Sequence, residues 1–201
     1  MKKSLFLILY CLFTTIVYSK IKSMPKGLPN FEIIGKCEDF YDVINVGNSI
    51  IMSLIENDYN LLSQYCLDKV HFSQELGFSN NSDTIITAND ISAAGVSHQK
   101  YPFYFYQSDK YISYDLKVIL DDYKPCLQRL CKLKINGLIR NQEVEEGYLL
   151  NINELFGECI SLEYYSKPTD LQTDWKCTIL ILKKIGKVYK LSGIAKDYWQ
   201  P

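Results

Sequence analysis

One stretch limits the choice of folds more than any other, the run from Trp175 to Leu182. Trp175, Cys177, Ile179 and Ile181 alternate there with Lys176, Thr178, Leu180 and Leu182. Successive side chains of a strand point to opposite faces, and here both faces are largely apolar. Such a strand belongs in the middle of a sheet, with at least part of each face covered. Gly186-Lys187 makes a turn, and Val188 to Ala195 returns as a second strand in which Gly193 marks a bulge or bend. Tyr198 and Trp199 close the chain. This hairpin is expected to be the spine on which the other elements pack.

Helical spacing begins after Cys37. Phe40, Val43, Ile44, Gly47, Ile50, Ile51 and Leu54 recur at steps of three and four, which predicts one amphipathic helix. Gly47 costs up to ~1 kcal/mol in its centre, so it is expected to allow close approach of a neighbouring strand. Asp58 then caps a short helix that carries Leu61, Leu62 and Tyr65, and Val70 to Phe72 follows as a strand. Thr84 to Thr87 reads as a short strand, Asn89 to Ala94 as one helical turn capped by Asn89, and Gly95 to Lys100 as a loop. Phe103 to Gln107 reads as a strand, and Ser113 to Tyr123 as a helix that Pro125 stops. Cys131 to Ile135 alternates apolar residues with lysine ahead of an Asn136-Gly137 turn, and 141–147 is an acidic loop. Asn151 to Phe156 is a further helical turn. Ile160, Leu162 and Tyr164 lie on one face of a strand, with Ser161, Glu163 and Tyr165 on the other. Helices first and a mostly antiparallel, curved sheet afterwards predict an α+β domain over residues 37–201.

The N-terminus predicts export. Lys2 and Lys3 precede an apolar run from Leu5 to Val17, and Val17, Tyr18 and Ser19 suit a signal-peptidase site. About 13 apolar residues fall short of the ~20 that a membrane span needs. An uncleaved anchor is the alternative, and the only expected route to a membrane. Cys11 raises a lipoprotein reading, but Tyr10 stands before it where a small residue is needed. Residues 20–36 carry Pro25, Gly27, Pro29 and Gly35 without a period and read as a linker or arm. Cleavage after Ser19 would leave 20 basic and 23 acidic residues, a net charge of −3. A chain this near neutral has no long-range attraction for nucleic acid. Six cysteines would remain: Cys37, Cys66, Cys126, Cys131, Cys159 and Cys177. Their even number in an exported chain points to disulfides, with Cys126 and Cys131 close enough in sequence to pair. Free buried thiols are the equal alternative.

Two blocks carry a family resemblance. One runs from Leu54-Ile55-Glu56-Asn57-Asp58-Tyr59 to Lys69-Val70-His71-Phe72-Ser73; the other joins Ile160–Tyr165, Asp174-Trp175, Val188–Ile194 and Asp197-Tyr198-Trp199. The first resembles the opening of the nuclear-transport-factor-2-like (NTF2-like) cone fold. Together they resemble an uncharacterised family of bacterial extracytoplasmic proteins, often lipoproteins. The resemblance implies a helix laid in a curved sheet and an extracytoplasmic location, and it brings no activity. Gln74-Glu75 and Lys196 depart from the family pattern.

The chain contains no phosphate loop, Cys-x-x-Cys, His-Glu-x-x-His or nucleophile elbow. His71 is a candidate general base in a cone pocket, against the plainer expectation of a neutral, hydrogen-bonded structural histidine. Glu163 and Asp197, with Asp174, could supply carboxylates for acid–base work. Their plain reading is that Glu163 faces solvent and the aspartates end strands. Tyr101, Tyr104 and Tyr106, in an aromatic cluster with Phe103, Phe105, Tyr111 and Tyr114, and Tyr165 on its strand, are candidate ligand-binding residues. The plain reading of the cluster is core or edge strand. Cys126 and Cys131 with a histidine lack the spacing of a zinc site, so no metal and no cofactor are assigned. The expected function is a secreted or envelope-located, non-enzymatic module that binds a small molecule, a glycan or a protein. The alternatives are an NTF2-like pocket enzyme and an envelope inhibitor.

Overall fold

The computed structural model of the protein describes residues 28, 31–35, 37–73, 83–103, 112–136, 152–167 and 175–199. Seven strands form one sheet in the order β1-β6-β7-β8-β9-β2-β3. They are β1 (Glu32–Gly35), β2 (Cys66–Phe72), β3 (Thr84–Thr87), β6 (Leu130–Asn136), β7 (Ile160–Ser166), β8 (Trp175–Ile185) and β9 (Val188–Trp199). Neighbours pair antiparallel except β1 with β6 and β2 with β9, which are parallel. The fold is therefore α+β on a mixed sheet. β4 (Lys100–Phe103) and β5 (Ile112–Asp115) make a separate two-stranded ribbon.

The closing hairpin is the spine that its alternation demands. β8 is the fourth of seven strands and pairs with β9 from Trp175↔Trp199 to Ile185↔Val188. Gly186 makes the turn at φ 62°, a left-handed conformation that glycine adopts without a Cβ penalty. The register slips between Ile181 and Leu182, so the bulge falls at Ser192, beside Gly193.

The helix α1 (Phe40–Glu56) buries Val43, Ile44, Ile50, Ile51 and Leu54 against one face of this sheet, called the inner face below. Leu162 and Tyr164 of β7, Leu180 and Leu182 of β8, and Leu191 and Ile194 of β9 fill that face. Gly47 sits where a Cβ would lie 2.2 Å from Leu162 Cδ1 and 2.6 Å from the Tyr164 hydroxyl, so the close approach is real. That hydroxyl donates to Asn48 Oδ1 at 2.9 Å, which satisfies two polar groups inside the core. Asp58 caps α2 (Tyr59–Tyr65) by accepting from the Leu61 N–H at 2.9 Å.

Two expectations need correction, and others gain detail. Within the stretch 20–36, read as a linker or extended arm, Glu32–Gly35 is an edge strand beside β6. Gly35 is required there: at φ 100° its Cβ would fall 2.1 Å from the Ile135 carbonyl oxygen. The turn α3 (Ala88–Ala93) is capped by Thr87, not Asn89, since the Thr87 hydroxyl accepts from the Asp90 N–H. Ser113–Tyr123 splits into β5 and α4 (Leu116–Asp122), as Ile112–Asp115 pairs with Lys100–Phe103 and sheet pairing overrides helical spacing. Of the strand expected at Phe103–Gln107, Phe103 closes β4 and residues 104–107 lie outside the described residues, as do Gly137 and 141–147. A last helical turn, α5 (Ile152–Phe156), packs on the opposite, outer face of the sheet.

Candidate functional site on the outer sheet face

The register puts the candidate polar residues on one surface. Three rows cross the sheet: Lys132–Tyr165–Cys177–Asp197, Lys134–Glu163–Ile179–Ala195, and Asn136–Ser161–Ile181–Gly193–His71. Cys177, Ile179, Ile181 and Ala195 form a second apolar cluster with Ile152 and Phe156 of α5, with Tyr165 packed against it. The Phe156 ring meets the His71 ring edge-on at 5.3 Å. His71, Glu163, Asp197 and Tyr165 thus share the face turned away from α1. They do not line the space between helix and sheet where a cone pocket was expected, because their positions in β2, β7 and β9 have the parity of the outer face.

Glu163 does not face solvent: its side chain is 0% exposed. Burying a carboxylate is costly unless donors meet it. Here the Asn136 amide donates to Oε1, the Tyr165 hydroxyl donates to Oε2, and the half-exposed Lys134 ammonium lies 3.7 Å away. The Asn136 amide also donates to Ser161 Oγ at 2.9 Å. The Lys132 ammonium lies 4.4 Å from the centroid of the Tyr165 ring. Burial pushes the Cys177 thiol well above its ordinary range, and the Glu163 and Asp197 carboxylates push the same way. Cys177 is therefore a neutral thiol at neutral pH and not a nucleophile. Asp197 lies inside β9 opposite Cys177 rather than at a strand end.

His71 stands beside a buried carboxylate. Its Nδ1 is buried without a hydrogen-bond partner and lies 3.5 Å from Oδ2 of Asp83. Neither oxygen of the buried Asp83 carboxylate has a hydrogen-bond partner. Sequence reading missed Asp83, and no motif surrounds it.

One buried lysine, Lys196, and one half-buried lysine, Lys176, were also missed. Lys196 is 5% exposed; it pairs with the Asp122 carboxylate and lies 5.9 Å and 5.8 Å from the ring centroids of Phe103 and Tyr123. Lys176 donates to the Asp122 carbonyl at 2.6 Å. Desolvation lowers each ammonium to about 8. Thr178 Oγ1 adds a hydrogen bond to the Tyr123 carbonyl at 2.8 Å, so these three contacts clamp the end of α4 to β8 and β9. The signal was present as lysines inside strands whose neighbours are apolar.

The aromatic cluster divides. Phe103 is buried, and Tyr101 and Tyr114 are half-buried against the core. Burial and the Asp90 carboxylate push the Tyr101 hydroxyl up to about 12. Tyr104, Phe105, Tyr106 and Tyr111 lie outside the described residues, as does Asp174.

A groove of about 600 Å³ opens at the end of the sheet where β1 meets β6. Phe31 and Leu130 supply apolar lining, and Arg129, Lys132 and Lys167 stand around it with Glu32. Lys132 joins this groove to Tyr165 on the outer face. The six cysteines are free thiols in the structure. Cys66, Cys159 and Cys177 are buried among apolar side chains, and burial raises Cys66 to about 12 and Cys159 to about 11. Cys126 and Cys131 remain unpaired with each other; Arg129 Nε donates to Cys126 Sγ at 3.2 Å, and Cys131 Sγ donates to the Tyr165 carbonyl at 3.5 Å. Among the described residues no group of three or more metal-ligating side chains occurs, and no helix is long and apolar enough to cross a membrane.

No protein-family model matches the chain, and no curated protein matches it. Among solved structures, it is similar to an NTF2-like protein of unknown function from Silicibacter pomeroyi DSS-3. The two share 6% identity at a TM-score of 0.38, over 79% of this chain and 93% of the other. Likeness this loose carries no argument about function.

Proposed function

We propose that this protein is an exported, non-enzymatic binding module with an NTF2-like cast, and that it holds a small anionic ligand in the groove beside β1 and β6. The groove itself carries the reading. It offers about 600 Å³, within the usual range of ligand sites. Three cations face one acid across an apolar lining, so an anion gains both charge pairing and burial. Arg129 and Lys132 supply the donors, and the Tyr165 ring behind Lys132 extends the contact surface. The described inner face is packed with leucine and tyrosine, which favours a binding role over acid–base work in a cone pocket.

Calorimetric titration with small carboxylates and phosphate esters tests this. One class should bind the wild-type protein, and Lys132→Ala or Arg129→Ala should weaken it about tenfold or more, since each charge-assisted bond contributes about 1.5–3 kcal/mol. Failure of every anion to bind, or unchanged affinity in both variants, would sink the reading. N-terminal sequencing of the protein from its native envelope should begin at Lys20 if the segment before it is a cleaved signal peptide.

A further inference from the structure

We infer that the tip of the closing hairpin, residues 183–190, docks on an anionic lipid surface, with Ile185 and Val188 entering the headgroup layer and three lysines lying among the phosphates. The register isolates this tip. β7 accompanies β8 only as far as Leu182, opposite Ile160, and β2 accompanies β9 only from Leu191, opposite Cys66. Among the described residues, β8 and β9 then pair with each other alone, from Lys183↔Lys190 to Ile185↔Val188. At about 3.3 Å per residue, this finger extends roughly 10 Å past its neighbours. The anion groove lies at the other end of the sheet, where Leu130 pairs with Ser166 and Ser166 with Lys176.

What the finger carries suits a lipid surface. Ile185 and Val188 face each other across the strands and are 51% and 52% exposed, so their burial is still to be gained. Behind them, on the same face, Lys183 and Lys190 stand directly opposite, a placement that like charge makes unfavourable. Lys187 adds a third ammonium in the turn. Among the described residues none of these three pairs with a carboxylate; Lys190 donates to the Gln64 carbonyl, which leaves its charge uncancelled. The fourth lysine, Lys184, lies on the other face and is held by Asp39, which also accepts from the Tyr189 hydroxyl at 3.2 Å. Positive charge is thus concentrated at one end of a chain whose net charge is −1.

Aliphatic residues at the very end and cations one step behind match the section of a bilayer, with acyl chains beneath a plane of phosphates. Amphipathic surface elements enter that boundary by about 5–10 Å, the reach of this finger. Each lysine near an anionic surface adds attraction. Nucleic acid offers phosphates without an apolar layer, and the finger has no exposed ring to stack on bases, since Tyr189 is buried. The tip is a folded route to a membrane, separate from the apolar N-terminal segment and from the groove.

Sedimentation of the full chain with vesicles tests this, using phosphatidylcholine alone and phosphatidylcholine mixed with phosphatidylglycerol. Binding through residues 5–17 is common to wild type and every tip variant, so the tip is read as the difference between them. Lys183→Gln combined with Lys187→Gln should weaken partition onto the mixed vesicles about twentyfold, at roughly fivefold for each lysine. Ile185→Ser combined with Val188→Ser should weaken it about tenfold. All four positions lie at the surface, so neither variant disturbs the core. Lys69→Gln, at an exposed position of β2, should change nothing. A lipid spin-labelled at its headgroup should broaden the amide resonances of Gly186 and Lys187 ahead of all others in the folded domain. Partition unchanged in both tip variants, equal loss of binding in Lys132→Ala, or no broadening at Gly186 and Lys187 would overturn the assignment. Loss in Lys132→Ala would place the lipid headgroup in the groove instead.

Discussion

The two faces of one sheet behave differently. On the inner face, Leu162, Tyr164, Leu180 and Leu182 meet α1, and the Tyr164 hydroxyl is paired with Asn48. On the outer face, the same strands turn Ser161, Glu163, Tyr165 and Cys177 outward, beside Ile179 and Ile181. The inner face gains by removing apolar area from water, at roughly 25 cal/mol per Å². The outer face mixes apolar burial with a desolvated carboxylate that must be matched bond by bond. Apolar burial therefore dominates the inner face, and matched polar groups mark the outer one.

Truncating the inner face should have the largest effect. Tyr164→Ala deletes a fully buried ring together with its hydrogen bond to Asn48, so it should cost about 3–5 kcal/mol in urea unfolding. A loss no greater than that of an outer-face variant would break the comparison. Next comes Lys176, whose ammonium is lowered from 10.5 to about 8 by burial. Below pH 8 it is charged in both states, and the full cost of burying the charge is present. Between pH 8 and 10.5 the unfolded chain binds more protons, so this group makes stability rise with pH, by at most about 3 kcal/mol. The cysteines and tyrosines with raised values act in the opposite sense, so the effect must be read as a difference from Lys176→Met. A variant with the same pH dependence as wild type would remove it.

Glu163→Ala on the outer face should cost less, about 1–2 kcal/mol, because Lys134 is half-exposed and returns to water. Glu163→Gln should cost less again, as it keeps an acceptor for the Tyr165 hydroxyl. The smallest perturbation is chemical labelling of the native protein. Cys37, Cys126 and Cys131 are half-exposed and should react with a thiol reagent ahead of the buried Cys66, Cys159 and Cys177. Disulfides in the protein as isolated from its source would leave fewer than six reactive thiols after unfolding of residues 37–201.

Legibility followed the range of the interactions. The closing hairpin, α1 and the Asp58 cap were readable because each is written in adjacent residues, as alternation around a glycine turn, as helical spacing and as a capping side chain. β5 was misread as helix because it is only four residues long and runs straight into α4, whose Leu116, Ile119 and Leu120 do recur at helical spacing. The candidate site was half legible. Alternation placed Glu163 and Tyr165 together on one side of β7, but not whether that side was wet. α5 and the lysines of β6 close over it only in three dimensions. Asp83 carried no signal at all, since its meaning depends on His71, twelve residues away and across a strand pair.

By itself, then, the sequence determined the periodicity: which residues alternate, which recur at helical spacing, and where glycine must turn or yield space. These are local properties of backbone geometry and side-chain direction. Only the tertiary structure decided which face is inner and which groups lose their water. It also decided that His71, Glu163 and Asp197 look away from α1. Desolvation is the reason, because the environment of a carboxylate or an ammonium is set by what distant segments lay over it. In the closing hairpin the sequence required cover on both faces of β8, and the fold supplied the long helix α1 for one and the apolar side chains Ile152 and Phe156 of the short helix α5 for the other.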